Sequence, residues 1–345
     1  MCANRRVSQY RRSRPERAVL PDEAGRIADD IRTMRIRGAG LIASSAVRAL
    51  QIAAQNCSET SAEGFVSHLS DAARILLRTR PTAVSLPNGI RYVMHRVNQA
   101  KPQAKGAADL KLVASKAAED FIELTRTAVE KIGNIGAKRI RDGDVVLTHC
   151  NSKAVISVMA TAWRQGRKFE VYATETRPRF QGRLTAHALA RVGIPVTLIL
   201  DDAVRYFMQS VDTVLVGADA ITANGALVNK VGTSMVALAA HEVGVKVFVA
   251  AESYKFSPET MIGELVEIEE RDTSEIISGQ ALKRLGRVKV RNPSFDVTPP
   301  DFIDLIVTER GIIPPLGAML ILQEVFGVLT PEELREYQTY SINEP

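Results

Sequence analysis

The chain has 345 residues, 46% of them hydrophobic and 24% charged, with a formal net charge of +6 and three cysteines. This is globular composition, long enough for two domains with sizeable cores. It holds no run of about 18 apolar residues that could cross a membrane, and Cys2, Cys57 and Cys150 are spaced for neither a disulfide framework nor a zinc site.

The chain opens with six arginines (Arg5, Arg6, Arg11, Arg12, Arg14, Arg17) against one acid, Glu16, so five of the six net charges belong to residues 1–20. Such a segment reads as a solvated, disordered arm. The nearly neutral remainder gives no electrostatic footprint for nucleic acid. No apolar leader follows the start, which makes the cytoplasm the expected location.

From Asp22 to about Gly133 apolar residues recur at three- and four-residue spacing. Four amphipathic helices are expected: DEAGRIADDIRTMRI, LIASSAVRALQIAA, FVSHLSDAARILL and LKLVASKAAEDFIELTRTAVEKI. Pro81, Pro87-Asn88-Gly89 and Lys101-Pro102 read as the breaks between them.

After Gly133 short β-rich runs alternate with helical ones: VVLTHC, FEVYAT, helix GRLTAHALARVG, PVTLIL, DTVLVGA, helix TSMVALAAHEVG and KVFVAA. Apolar strands alternating with helices predict a parallel sheet covered on both faces, a doubly wound α/β domain. Asn224-Gly225, inside ADAITANGALVNK, predicts a hairpin with a tight turn. The expected organisation is therefore the arm at 1–20, a helical domain at 21–133 and a Rossmann-like α/β domain at 134–345.

Sheets of this kind bind ligands outside the carboxyl ends of their strands. The residues expected there are Cys150 after the first strand, Glu175-Thr176-Arg177-Pro178 after the second, Asp219 after DTVLVGA, Asn229-Lys230 beyond the hairpin, and Glu252-Ser253-Tyr254-Lys255 after KVFVAA. A cysteine on an apolar strand is most often a small core residue. Cys150, however, sits just before a helix start and beside Lys153, and both favour the thiolate. The N–H groups of Ser152, Lys153 and Ala154 could cradle a phosphate there. Asp219 reads either as a turn-former or as a carboxyl whose burial would keep it protonated as an acid. Lys230 and Lys255 would singly be surface lysines; together on one rim they imply a strongly anionic ligand. In the helical half, Arg37 precedes Gly38, Ala39 and Gly40, a guanidinium beside backbone that a phosphate can approach. Arg80, before Pro81, is a second such cation. The five histidines are scattered, and His149 reads as packing.

Several longer motifs, in order, carry a resemblance: IRGAG, TRPTAVSLPN, THCNSKA, TETRPRFQG, GADAITANGALVNK, ESYKFSPETM and FDVTPPDFID. From about Asp22 to about Phe326 the chain resembles the archaeal ribose 1,5-bisphosphate isomerases. Their superfamily includes methylthioribose-1-phosphate isomerases and the regulatory α, β and δ subunits of translation initiation factor 2B. The resemblance implies that Cys150 is the proton acceptor and Asp219 the proton donor. It also implies that Arg37, Gly38, Ala39, Gly40, Arg80, Ser152, Lys153, Ala154, Asn229, Lys230 and Lys255 contact substrate. It further implies a homo-oligomer (a dimer or a trimer of dimers) and a reaction needing neither metal nor organic cofactor.

Regulatory subunits of that superfamily usually lack the cysteine and often carry GAE, whereas Cys150 and Asp219 are both present here. The thioether enzymes typically show RGAP and a Gly-Ala pair after HCN. This chain has Arg37-Gly38-Ala39-Gly40, Ser152-Lys153-Ala154 and an added Lys255. A second phosphate, not a methylthio group, answers to those cations.

Overall fold

The computed structural model describes residues 20–80, 84–263 and 266–327; the arginine-rich stretch of the arm and the chain after Gly327 lie outside them. Five helices come first: α1 (Asp22–Arg32), α2 (Ala39–Gln55), α3 (Ala62–Leu77), α4 (Ser85–Ala100) and α5 (Ala107–Gly136). The alanine-rich inner face of α2 lets its neighbours approach closely: Ala43, Ala46, Ala49, Ala53 and Ala54 are fully buried. Around them pack Leu50, Phe65, Leu69, Ile90 and Phe121. The helical part thus runs three residues beyond the boundary expected at 133, because α5 continues to Gly136.

The sequence reading missed α4 by taking Pro87-Asn88-Gly89 as a break. Pro87 falls in the first turn, where a missing N–H costs nothing. A Cβ on Gly89 would come within 2.8 Å of Val47, so its bare backbone allows α4 to press against α2. The Asn88 amide donates to the carbonyls of Tyr254 and Phe256 at 2.9 and 2.6 Å. Arg91, one turn on, is buried and paired with the buried Glu259. These two side chains fasten the helical half to the segment that follows the strand at 246–250.

The α/β part carries β1 (Val145–Thr148), α6 (Lys153–Arg164), β2 (Glu170–Thr174), α7 (Gln181–Val192), β3 (Val196–Ile199), α8 (Val204–Phe207), β4 (Thr213–Gly217), β5 (Ala220–Thr222), β6 (Leu227–Lys230), α9 (Thr233–Val243) and β7 (Lys246–Ala250). Then follow β8 (Phe256–Ser257), α10 (Gly279–Leu285), β9 (Phe295–Thr298), β10 (Leu305–Thr308), β11 (Gly311–Ile313) and α11 (Ala318–Phe326). A seven-stranded sheet runs in the order β11-β10-β7-β4-β1-β2-β3. All its pairings are parallel except β10 with β11. The predicted Rossmann-like α/β architecture behind a helical N-terminal region is the one observed. The predicted hairpin, β5–β6 with Gly225 at φ +85, belongs to a second, four-stranded sheet ordered β8-β5-β6-β9. Among the described residues no helix is long and apolar enough to cross a membrane.

The strand order locates the site. From β1 the chain moves outward through β2 and β3, then returns across the sheet to lay β4 on the other side of β1. The two directions part between β1 and β4, and at such a switch point the loops diverge and leave a crevice at the strand ends.

Candidate active site

Cys150 leaves the end of β1 and Asp219 leaves the end of β4, one on each side of the crevice. Gly217 closes the floor between them: a Cβ there would lie 2.5 Å from that of Ser152, so the β4 end and the turn before α6 touch through bare backbone. Ser152 caps α6, its hydroxyl accepting from Val155 N–H at 3.4 Å. Ala154 packs into the core beneath α6, while Lys153 is exposed at its first turn.

Asp219 bears on the protonation of Cys150. The backbone of Cys150 is left-handed, at φ +72, an uncommon conformation for a residue with a Cβ. Burial pushes its thiol up to about 12, and the Asp219 charge pushes the same way. The Asn151 N–H and the charges of Lys230 and Arg271 oppose this only in part. This corrects the expectation that the helix start and Lys153 would leave a resting thiolate: desolvation outweighs them, and the resting group is a thiol. Asp219 is also held above the ordinary carboxylate range, again by burial, against the pull of Lys255, Lys230 and Arg271.

Three cations converge on that pair. Lys230 is buried, and its ammonium donates to the Ser294 carbonyl at 2.8 Å and sits 4.9 Å from the Phe295 ring centre. No carboxylate of a described residue ion-pairs with it, and burial lowers its pKa. Arg271 acts on Cys150, Asp219 and Lys230 alike. It shares Glu269 with Arg80, whose guanidinium lies 3.2 Å from that carboxylate. Arg80 thus reaches the cluster as one arm of an Arg–Glu–Arg bridge.

Lys255 differs from its sequence reading as a rim lysine. It is buried, pairs with the buried Glu252 at 2.7 Å and donates to the Ala218 carbonyl at 2.8 Å. It stands behind Asp219 and already has a counterion. The Tyr254 hydroxyl bonds the same Glu252 at 3.2 Å and would lie 2.6 Å from a Cβ on Gly40. That close approach brings the Arg37–Gly40 turn against the Glu252–Lys255 segment. Gly38 takes φ +88 at the start of α2, and the Ala39 carbonyl accepts from Ser85 at 2.9 Å. Arg37 is exposed and, among the described residues, donates to the Met34 carbonyl alone, at 2.7 Å. The Asn229 amide donates to the Thr233 hydroxyl at 3.0 Å.

The structure thus gathers Cys150, Asp219, Lys230 and Lys255, and links Arg80 through Glu269. It leaves Arg37 and Lys153 as exposed cations with no ion pair among the described residues. Sequence reasoning passed over Arg271, Glu269, Gln181 and Thr185. Arg271 stands in EIEERD, a charged run indistinguishable from a solvated surface. The Gln181 amide oxygen lies 3.8 Å from the Cys150 sulfur, and only the fold of the loop after β2 places it there.

The family model for the initiation factor 2 subunit family (IF-2B) matches residues 35–315. The ribose 1,5-bisphosphate isomerase of Thermococcus kodakarensis is 53% identical over 302 residues, covering 87% of this chain and 94% of that protein. The ribose 1,5-bisphosphate isomerase of Archaeoglobus fulgidus is 51% identical over 312 residues, covering 90% and 96%. Among solved structures, the 5-methylthioribose 1-phosphate isomerase of Pyrococcus horikoshii superposes with a TM-score of 0.66 at 30% identity, over 90% of this chain and 92% of that one. With a family match spanning most of its length and relatives at this identity, the chain belongs to the initiation factor 2 subunit family.

Proposed function

We propose that the chain is an aldose–ketose isomerase converting ribose 1,5-bisphosphate to ribulose 1,5-bisphosphate, with Cys150 as base and Asp219 as acid. The observation that carries this reading is a thiol and a carboxyl, both raised by burial, at the two strand ends of the switch point, with Lys230 and Arg271 acting on both. Relatives at 53% and 51% identity carry that activity in their names.

The anomeric hydroxyl of the substrate is phosphorylated, so the ring cannot open through it. Opening needs an acid on the ring oxygen while a base takes the C2 proton. In the productive form the pair's single proton rests on Asp219 and the thiolate faces C2. The C2 proton passes to the Cys150 sulfur, its electron pair forms C1=C2, the C1–O4 bond breaks, and O4 takes the proton of Asp219. The sulfur, its proton exchanged with solvent, then protonates C1 while the C2 hydroxyl gives its own proton to the Asp219 carboxylate. Ribulose 1,5-bisphosphate leaves with both groups restored. Lys230, Arg271 and Arg80 supply positive charge for the phosphates, with Arg37 and Lys153 closing on them from the rim. The product points to salvage of nucleotide ribose toward a carboxylating enzyme. We place the protein in the cytoplasm as a homo-oligomer.

The test is turnover of purified protein with two substrates. Ribose 1,5-bisphosphate should be isomerised and 5-methylthioribose 1-phosphate left essentially untouched; the reverse pattern would make this a thioether enzyme like the 30%-identical structural neighbour. Solvent deuterium should appear at C1 of the product. A C2-to-C1 hydride shift would leave C1 unlabelled.

A further inference from the structure

The backbone of Cys150 is held from both ends by threonines of one neighbouring segment. Its N–H donates to the Thr176 hydroxyl at 2.9 Å, and its carbonyl accepts from the Thr185 hydroxyl at 2.8 Å. Thr176 follows β2, and Thr185 lies in the second turn of α7. Thr176 is itself left-handed, at φ +59, a costly conformation for a β-branched residue that persists only when its surroundings over-determine it. They do: Asp201 accepts from the N–H groups of Thr176 and Arg177, each at 2.7 Å.

Behind Thr176 runs a buried chain whose direction is fixed as far as Thr174, the Thr176 hydroxyl having both the hydroxyl and the carbonyl of Thr174 as acceptors. The Val231 carbonyl can only accept, so the His149 Nε2 at 3.0 Å from it carries the hydrogen. His149 is buried and neutral, burial lowering its pKa, so Nδ1 is an acceptor and takes the Thr174 hydroxyl hydrogen at 2.6 Å. The Thr174 oxygen can then accept from Thr176 at 3.2 Å, which leaves a Thr176 lone pair for the Cys150 N–H. No member of the chain is left unsatisfied. Gly182 permits it, since a Cβ there would strike the Thr174 carbonyl at 1.6 Å.

We infer that Thr176 and Thr185 are positioning residues that clamp Cys150 in its left-handed conformation, aiming the sulfur into the crevice, with His149 and Thr174 setting the polarity of the clamp. The assignment rests on the reading of Cys150 as base. It gives His149 a task beyond packing and gives the TETRPRFQG segment a function separate from substrate contact.

Thr176→Val keeps the shape and removes the acceptor; Thr176→Ser keeps the hydroxyl. A misplaced catalytic group can cost about 10²-fold in rate. Thr176→Val is therefore expected to lower kcat on ribose 1,5-bisphosphate by roughly that factor with KM little changed, and Thr176→Ser to restore it. Thr185→Val should act in the same sense, which keeps the test open if Thr176→Val folds poorly. A second readout needs no substrate: iodoacetamide alkylation of Cys150, followed by peptide mapping, should be faster in both valine variants once the held backbone relaxes. Wild-type kcat and alkylation in the valine variants, or equal impairment by valine and serine, would overturn the clamp. If Cys150→Ser keeps its activity, the base assignment falls instead, while the alkylation rates still report on the clamp.

Discussion

Replacing Lys230 with methionine separates an anion-binding lysine from a structural one. The Lys230 ammonium has three donors and, among the described residues, one acceptor, the Ser294 carbonyl at 2.8 Å, and the residue is only 5% exposed. Its pKa in the fold lies below the unfolded value, because burial penalises the charged form. The sign follows directly: at any pH below the folded pKa the ammonium is charged in both states and the full penalty falls on the fold. The penalty is relieved only as pH rises through the folded value. A buried ion costs several kcal/mol even after relaxation, whereas orphaning one carbonyl costs about 1–3 kcal/mol. Lys230→Met should therefore leave the melting temperature of the ligand-free protein unchanged or raised. Loss of a charge-assisted hydrogen bond to phosphate, about 1.5–3 kcal/mol, should raise KM for the bisphosphate roughly 10- to 150-fold. Thermal unfolding with and without inorganic pyrophosphate, alongside steady-state kinetics, reads both effects. An unchanged KM, or a KM rise accompanied by a fall in melting temperature, would refute the reasoning.

Cys150→Ser should lose at least about 10²-fold in kcat while still binding substrate, because a hydroxyl is too weak an acid to replace the thiol. Asp219→Asn should be comparably inactive and should trap bound bisphosphate; calorimetric titration distinguishes this from a collapsed site. The logarithm of kcat/KM should rise with pH through a value above the ordinary carboxylate range, as the doubly protonated pair loses its first proton, and fall only toward about 12. An acid limb at an ordinary carboxylate value would disprove a raised Asp219. Lys255→Met should destabilise the fold by about 3–5 kcal/mol, since it strands the buried Glu252 charge. Adding Glu252→Gln should recover most of that loss in chemical denaturation.

The helices α1, α2, α3 and α5 and the strands β1 to β4 and β7 were legible because burial on one face or on both leaves a period in the sequence. The helix α4 was not, since Pro87 and Gly89 act as breakers by composition and as a first turn and a packing contact by position. Cys150 and Asp219 could be marked from the strand ends alone, because a switch point exposes whatever follows the central strands. Their protonation could not be read that way: it depends on how much water the fold removes, and the sequence signals at hand, a helix start and Lys153, both pointed to a thiolate. Lys255 and Lys230 look alike in the sequence, yet one has Glu252 and the other has no counterion among the described residues. Glu252 stands three residues before Lys255, whereas the neighbours of Lys230 come from the distant segment 294–295, which no local pattern encodes.

The Asn88 and Arg91 fastening bears on how the polypeptide could be divided. A cut between Gly136 and Ala137 falls where the helical layer ends and the sheet is about to begin, an inviting place to split a gene. The upstream piece would carry a guanidinium built to sit beside Glu259 and an amide built to meet the carbonyls of Tyr254 and Phe256, with neither partner present. The downstream piece would expose the ring of Tyr254, which packs in the helical core of the intact chain. Neither piece should be soluble alone, whereas the two produced together should recover a one-to-one assembly. The division that a reader of the sequence would draw is thus a boundary of architecture and not of independent folding.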